Sequence, residues 1–64
     1  MLSRDIYVLR YGTTRWGWKF ETGPVQKTYE SKDEAMYYAI QLAKRYESEV
    51  YAQNNKGKFE RVKT

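Results

Sequence analysis

The chain has 64 residues, with 12 Lys and Arg against 8 Asp and Glu for a formal charge of +4, and it contains neither His nor Cys. A chain this short supports one domain and one core, because small domains bury only about 60% of the surface their unfolded chains expose. The missing residue types exclude imidazole acid–base chemistry, thiol nucleophiles, disulfides and Cys/His zinc sites, so stability must come from burial, for which two Trp, seven Tyr and two Phe are the main supply.

Strict alternation in Ile6-Tyr7-Val8-Leu9-Arg10-Tyr11, the turn-prone Gly12-Thr13-Thr14-Arg15 and a second alternation in Trp16-Gly17-Trp18-Lys19-Phe20-Glu21 predict a β-hairpin. With Tyr11 opposite Trp16, Leu9 meets Trp18 and Tyr7 meets Phe20, which places six large groups on one core face. Ile6, Val8, Arg10, Gly17, Lys19 and Glu21 then form the open face. Thr22-Gly23-Pro24 is the next turn, and residues 25–29 form a short third strand. Setting Lys27 opposite Phe20 keeps Val25 and Tyr29 on the aromatic side and sends Gln26 and Thr28 to the open side.

Ser31-Lys32-Asp33-Glu34 is a capping box, in which Ser31 accepts from the third helical amide and Glu34 reaches back to the Ser31 amide. Asp33 and Glu34 at the start and Lys44 and Arg45 at the end complement the helix dipole. Ala35, Ala39, Leu42 and Tyr46 share one stripe, and the two alanines let the helix approach a bulky sheet closely. A second hairpin follows, from Glu49-Val50-Tyr51-Ala52-Gln53 through Asn54-Asn55-Lys56-Gly57 to Lys58-Phe59-Glu60-Arg61-Val62. Gly57 in the left-handed position of a three-residue loop sets Asn54 against Lys58 and Val50 against Val62, whereas a four-residue loop pairs Ala52 with Phe59. The expected fold is a two-layer α+β domain of order β-β-β-α-β-β. It has an antiparallel sheet with one helix on one face, and spans residues 1–64 with fraying at 1–4 and 64.

The Trp-bearing hairpin, Tyr29-Glu30-Ser31-Lys32-Asp33-Glu34-Ala35 with Ala39 four residues on, then Glu49-Val50-Tyr51 and a turn ending in Gly57, resemble the small bacterial family known as domain of unknown function 2188. The likeness covers residues 16–62, with Gln53 where the family often has His and Lys56 where it often has an acid. It implies a compact α+β domain and carries no activity. Residues 16–39 are also similar to the arm-binding N-terminal domains of phage-type integrases, three strands plus a helix that lay the open sheet face in the DNA major groove. That likeness implies DNA contact through the corresponding face here.

No Gly-rich phosphate loop is present, and the paired acids Asp33 and Glu34 are explained by capping, so the reading is non-enzymatic, with no cofactor and no metal. The leading expectation is a basic module that contacts DNA through Arg10, Lys19 and Thr28, with Arg15 and Trp16 at the hairpin tip; a purely solubilising role for the same charge is an equal alternative. A competing class is a protein-binding or homodimeric module, of phage or mobile-element origin, using Met36, Tyr37 and Ile40. The apolar arc spans about 200° of the helix, wider than the roughly 100° stripe that one sheet covers. No apolar run approaches the roughly 20 residues of a membrane span, and the polar start Met1-Leu2-Ser3-Arg4-Asp5 does not read as a secretory signal. A cytoplasmic location without membrane contact is therefore expected.

Overall fold

The computed structural model describes residues 4–63. Its elements run β1 (Ile6–Tyr11), β2 (Arg15–Phe20), β3 (Lys27–Tyr29), α1 (Lys32–Tyr46), β4 (Val50–Gln53) and β5 (Phe59–Val62), the α+β order expected. The strands form one sheet ordered β3-β2-β1-β4-β5, and α1 packs mainly on β1 and β2. The expectation for residues 1–3 and 64 lies outside the described residues, whereas Arg4 holds its guanidinium carbon 5.2 Å from the centre of the Tyr46 ring. No helix among the described residues is long and apolar enough to cross a membrane.

One pairing departs from the antiparallel sheet. β1 and β4 run parallel, with Ile6 beside Val50, Tyr7 beside Tyr51 and Val8 beside Ala52. The other three pairings are antiparallel. Two successive reversals leave β3 running in the direction of β1, and α1 carries the chain back to its starting end, so β4 enters the sheet in the direction of β1.

The first hairpin is one residue tighter than expected. Tyr11 pairs with Arg15, leaving Gly12, Thr13 and Thr14 as the loop, with Gly12 at a φ of 71°. Val8 therefore faces Trp18 and Ile6 faces Phe20. Side chains alternate with a period of two, so this single step turns all of β1 over. Ile6 and Val8, fully buried, hold the core positions expected for Tyr7, Leu9 and Tyr11. Arg10 moves from the open face to the helix side.

In β3, Lys27 stands opposite Trp18 instead of Phe20, a shift of two that leaves Lys27 and Tyr29 on the helix side and Thr28 on the open side. Val25 precedes the strand and does not join the aromatics. Its Cγ1 lies only 2.7 Å from where a Cβ on Gly17 would stand, which puts it over the open side of β2.

Ser31 caps α1 by accepting from the Glu34 amide at 3.2 Å. The return arm of the box differs from expectation, because the Ser31 hydroxyl donates to the Glu34 carboxylate over a long 3.4 Å. The helix ends at Glu47, in the left-handed region at φ 56° and ψ 43°, and the Ser48 amide donates back to the Ala43 carbonyl at 2.8 Å. Its buried stripe is Ala35, Ala39 and Ala43, with Leu42 half-buried and Tyr46 exposed.

The core is consequently aliphatic at its centre, where Ile6, Val8 and Val50 are the largest fully buried side chains. Trp16, Trp18, Phe20 and Tyr29 pack around it. A helix face of alanines lies too close to the central strands to admit rings, so the aromatics close the flank from β2 and β3. Trp18 meets Phe20 edge to face at 5.5 Å, and Phe20 meets Tyr46 at 6.3 Å. The second hairpin adopts the three-residue-loop register. Val50 pairs with Val62, the Asn54 amide donates to the Lys58 carbonyl at 2.7 Å, and Gly57 has a φ of 82°.

Candidate nucleic-acid interface

The inversion of β1 gives the sheet face opposite α1 an aromatic centre. Tyr7 from β1 and Tyr51 from β4, side by side in the parallel pair, stack with ring centres 5.1 Å apart and planes 19° apart. Phe59 from β5 adds an edge-to-face contact with Tyr7 at 5.2 Å and is 42% exposed, which leaves much of its ring open to a ligand. Leu9, Lys19 and Glu21 join Tyr7 and Phe59 around a shallow depression of about 300 Å³. Stacked rings beside a cation are the elements from which base-binding platforms are built.

Charge on this face is balanced along its length. Arg15 donates through Nε to the Thr28 hydroxyl at 3.0 Å and through a terminal nitrogen to the Thr28 carbonyl at 3.2 Å, which fixes its guanidinium against β3. Arg61 forms a two-pronged pair with Glu49, both contacts at 3.1 Å; both side chains are exposed, so the pair adds little stability but occupies the cation. The Tyr7 phenol is held above its ordinary pKa, first by burial and then by Glu21, Tyr51 and Asp5. Lys19, opposite Tyr7 across the hairpin, therefore offers an anion a better seat on its Arg15 side than on the side of Glu21 and Asp5.

Of the five residues expected to contact nucleic acid, Arg15, Lys19 and Thr28 share this face. Arg10 and Trp16 do not, because they stand on the helix side, paired across the hairpin next to Tyr11 and Arg15. There the Arg10 guanidinium carbon is 5.9 Å from the Trp16 ring centre and the Lys32 ammonium 5.1 Å from it. Arg10 is further held by its amide donating to Gln53 Oε1 at 2.9 Å and its guanidinium to the Thr13 carbonyl at 3.3 Å.

Residues 6–64 match the family described as "Uncharacterized protein conserved in bacteria (DUF2188)". The chain belongs to DUF2188. No curated protein and no solved structure matches it. In this DUF2188 domain the expected partner surface on the helix is divided. Met36 and Ile40 are half-buried against the core, while Tyr37 is 59% exposed and touches solvent and the edge of Tyr38. Sequence reasoning did not find Tyr51 and Phe59, and it placed Tyr7 in the core. The available clue was Val50 and Ala52, whose small size suits an alanine-faced helix and so directs Tyr51 and Gln53 outward.

Proposed function

We propose that this DUF2188 domain is a small non-enzymatic module that binds nucleic acid on the open sheet face, and that it takes single strands in preference to duplex. The observation behind this reading is the Tyr7–Tyr51 stack with Phe59 beside it, flanked by Lys19. A base stacked on an aromatic side chain contributes about 1–3 kcal/mol, and duplex DNA does not offer its bases in that way. Arg15, Lys19 and Arg61 are offset on this face by Glu21 and Glu49, which leaves little surplus charge to hold a duplex by its phosphates alone. The DNA contact expected from sequence is thereby narrowed to Arg15, Lys19 and Thr28, with the aromatic cluster taking the role given to Trp16. The cytoplasmic location expected from the sequence accompanies this reading.

Fluorescence anisotropy of a labelled 12-nucleotide single strand and of a matching duplex, at 50 and 200 mM salt, tests it. The single strand is expected to bind more tightly, and Phe59→Ala to weaken it at least fivefold. With Lys19 and Arg15 each engaging one phosphate, the slope of log affinity against log salt should be about −1.4. No binding at 50 mM salt, or a Phe59→Ala variant that binds like the parent, rejects the proposal. The competing homodimer through Met36, Tyr37 and Ile40 is separated by light scattering, which would report about twice 7.7 kDa.

A further inference from the structure

A second surface, independent of the open sheet face, has the chemistry of a peptide site. Between α1 and the strands β2 and β3 runs an open-sided cleft of about 290 Å³, walled by Trp18, Tyr29, Tyr38 and Leu42 and rimmed by Gln41 and Arg45. Tyr29 and Tyr38 are stacked at 5.0 Å with their planes 10° apart, forming one flat wall across the two layers. The cleft borders β3, one of the two edge strands of the sheet, whose outer side has no strand partner among the described residues. Two groups of the lining, the Arg45 guanidinium and the Trp18 indole, are donors with no countercharge there, and among the described residues Arg45 is the only charged one on the rim. The Lys27 ammonium stands 5.7 Å from the centre of the Tyr29 ring. The indole N–H of Trp18 is buried and, among the described residues, has no acceptor. A buried donor without a partner carries a desolvation penalty.

From this arrangement we propose that the cleft binds an extended peptide segment in which a bulky apolar side chain lies next to a carboxylate. The apolar group packs on Trp18 and Leu42, the carboxylate pairs with Arg45, and the peptide backbone lies along the outer edge of β3. An open cleft at the lower limit of small-molecule pocket volumes, bordered by a strand edge, suits a side chain delivered by a backbone better than an enclosed small ligand. Part of the β3 edge is already occupied, because Arg15 donates to the Thr28 carbonyl. Side-chain recognition in the cleft therefore carries more of the affinity than strand addition.

The test is selection of a displayed library of random seven-residue peptides on the full chain, followed by anisotropy with the enriched peptides. Enriched peptides are expected to share an aromatic or branched apolar residue adjacent to Asp, Glu or a free carboxyl terminus. Gln41→Glu with Arg45→Glu reverses the charge at exposed positions and should weaken them at least tenfold, while Phe59→Ala leaves them unchanged. In a Trp16→Phe background Trp18 is the remaining tryptophan, and its emission should shift on peptide addition. No enrichment over a control protein, enrichment of basic peptides, unchanged affinity in the charge-reversed variant or an unmoved Trp18 emission overturns the proposal. So does single-strand binding that falls with the charge reversal and not with Phe59→Ala, since that assigns the cleft to nucleic acid.

Discussion

Gly17→Ala puts the packing of β3 on β2 to a direct test. Gly17 is buried, and a Cβ built on it would lie 2.7 Å from Val25 Cγ1, 2.9 Å from the Lys27 carbonyl oxygen and 3.4 Å from Thr28 Cγ2. Carbon atoms rest at about 3.5–4.0 Å from one another, so the methyl is short of room by roughly an ångström against Val25. Val25 can rotate, but the Lys27 carbonyl is backbone and yields only if β3 moves off the sheet. Overpacking of this kind costs about 1–3 kcal/mol, offset by the roughly 0.4–1 kcal/mol that Ala gains from a stiffer unfolded chain. The expected result is a net loss of about 1–2 kcal/mol. At about 4–8 °C per kcal/mol for a domain of this size, Tm should fall by about 5–15 °C in a thermal melt followed by circular dichroism. Adding Val25→Ala should recover only part of the loss, since the carbonyl contact remains. An unchanged or raised Tm for Gly17→Ala would refute the close approach of β3.

Ser31→Ala removes the acceptor for the Glu34 amide and should lower stability by about 1 kcal/mol in urea unfolding. Glu47 occupies the left-handed region that disfavours L-residues by about 1–2 kcal/mol, so Glu47→Gly should stabilise by about 0.5–1 kcal/mol after the extra entropy of glycine is counted, read as a higher Tm. The fold favours the neutral Tyr7 phenol, raising its pKa above the unfolded value of about 10. That contribution is intact below pH 10 and lost as pH rises through the folded value, so Tyr7→Phe should show a shallower alkaline fall in stability than the parent in melts between pH 9 and 11.

The parts of the fold legible in the sequence are those specified by local chemistry. Asn54 and Gly57 define the second hairpin, since Asn54 Oδ1 accepts from the Lys56 and Lys58 amides at 2.8 and 3.0 Å and only Gly takes the loop's positive φ without strain. Ser31 likewise announces α1. The first hairpin is less fully marked: Gly12 takes a positive φ but no Asn side chain closes the loop, and Ile6 and Val8 on one side and Tyr7, Leu9 and Tyr11 on the other are both apolar, so alternation does not choose between the faces. Turn length alone decides, and with it goes the make-up of the candidate surface, because the step that buries Ile6 also delivers Tyr7 to the open face and removes Arg10 from it. The β1–β4 pairing was illegible for a different reason. It depends on where a crossover returns, which no local residue encodes.

That central pairing also dictates the order in which the chain can acquire its structure. Asp5 and Glu49, 44 positions apart, are joined by the Glu49 amide donating to the Asp5 carboxylate, and the Ile6 amide donates to the Glu49 carbonyl at 2.9 Å. Until β4 docks, β1 has one bare long edge and Tyr7 lacks its stacking partner. The first three strands and the helix on their own are thus an unfinished unit, with an unpaired edge of the kind that recruits other chains. Closure of this wide loop is the step at which entropy is lost before contacts repay it, so refolding speed should follow Val50 and Ala52 more closely than the tight N-terminal turn.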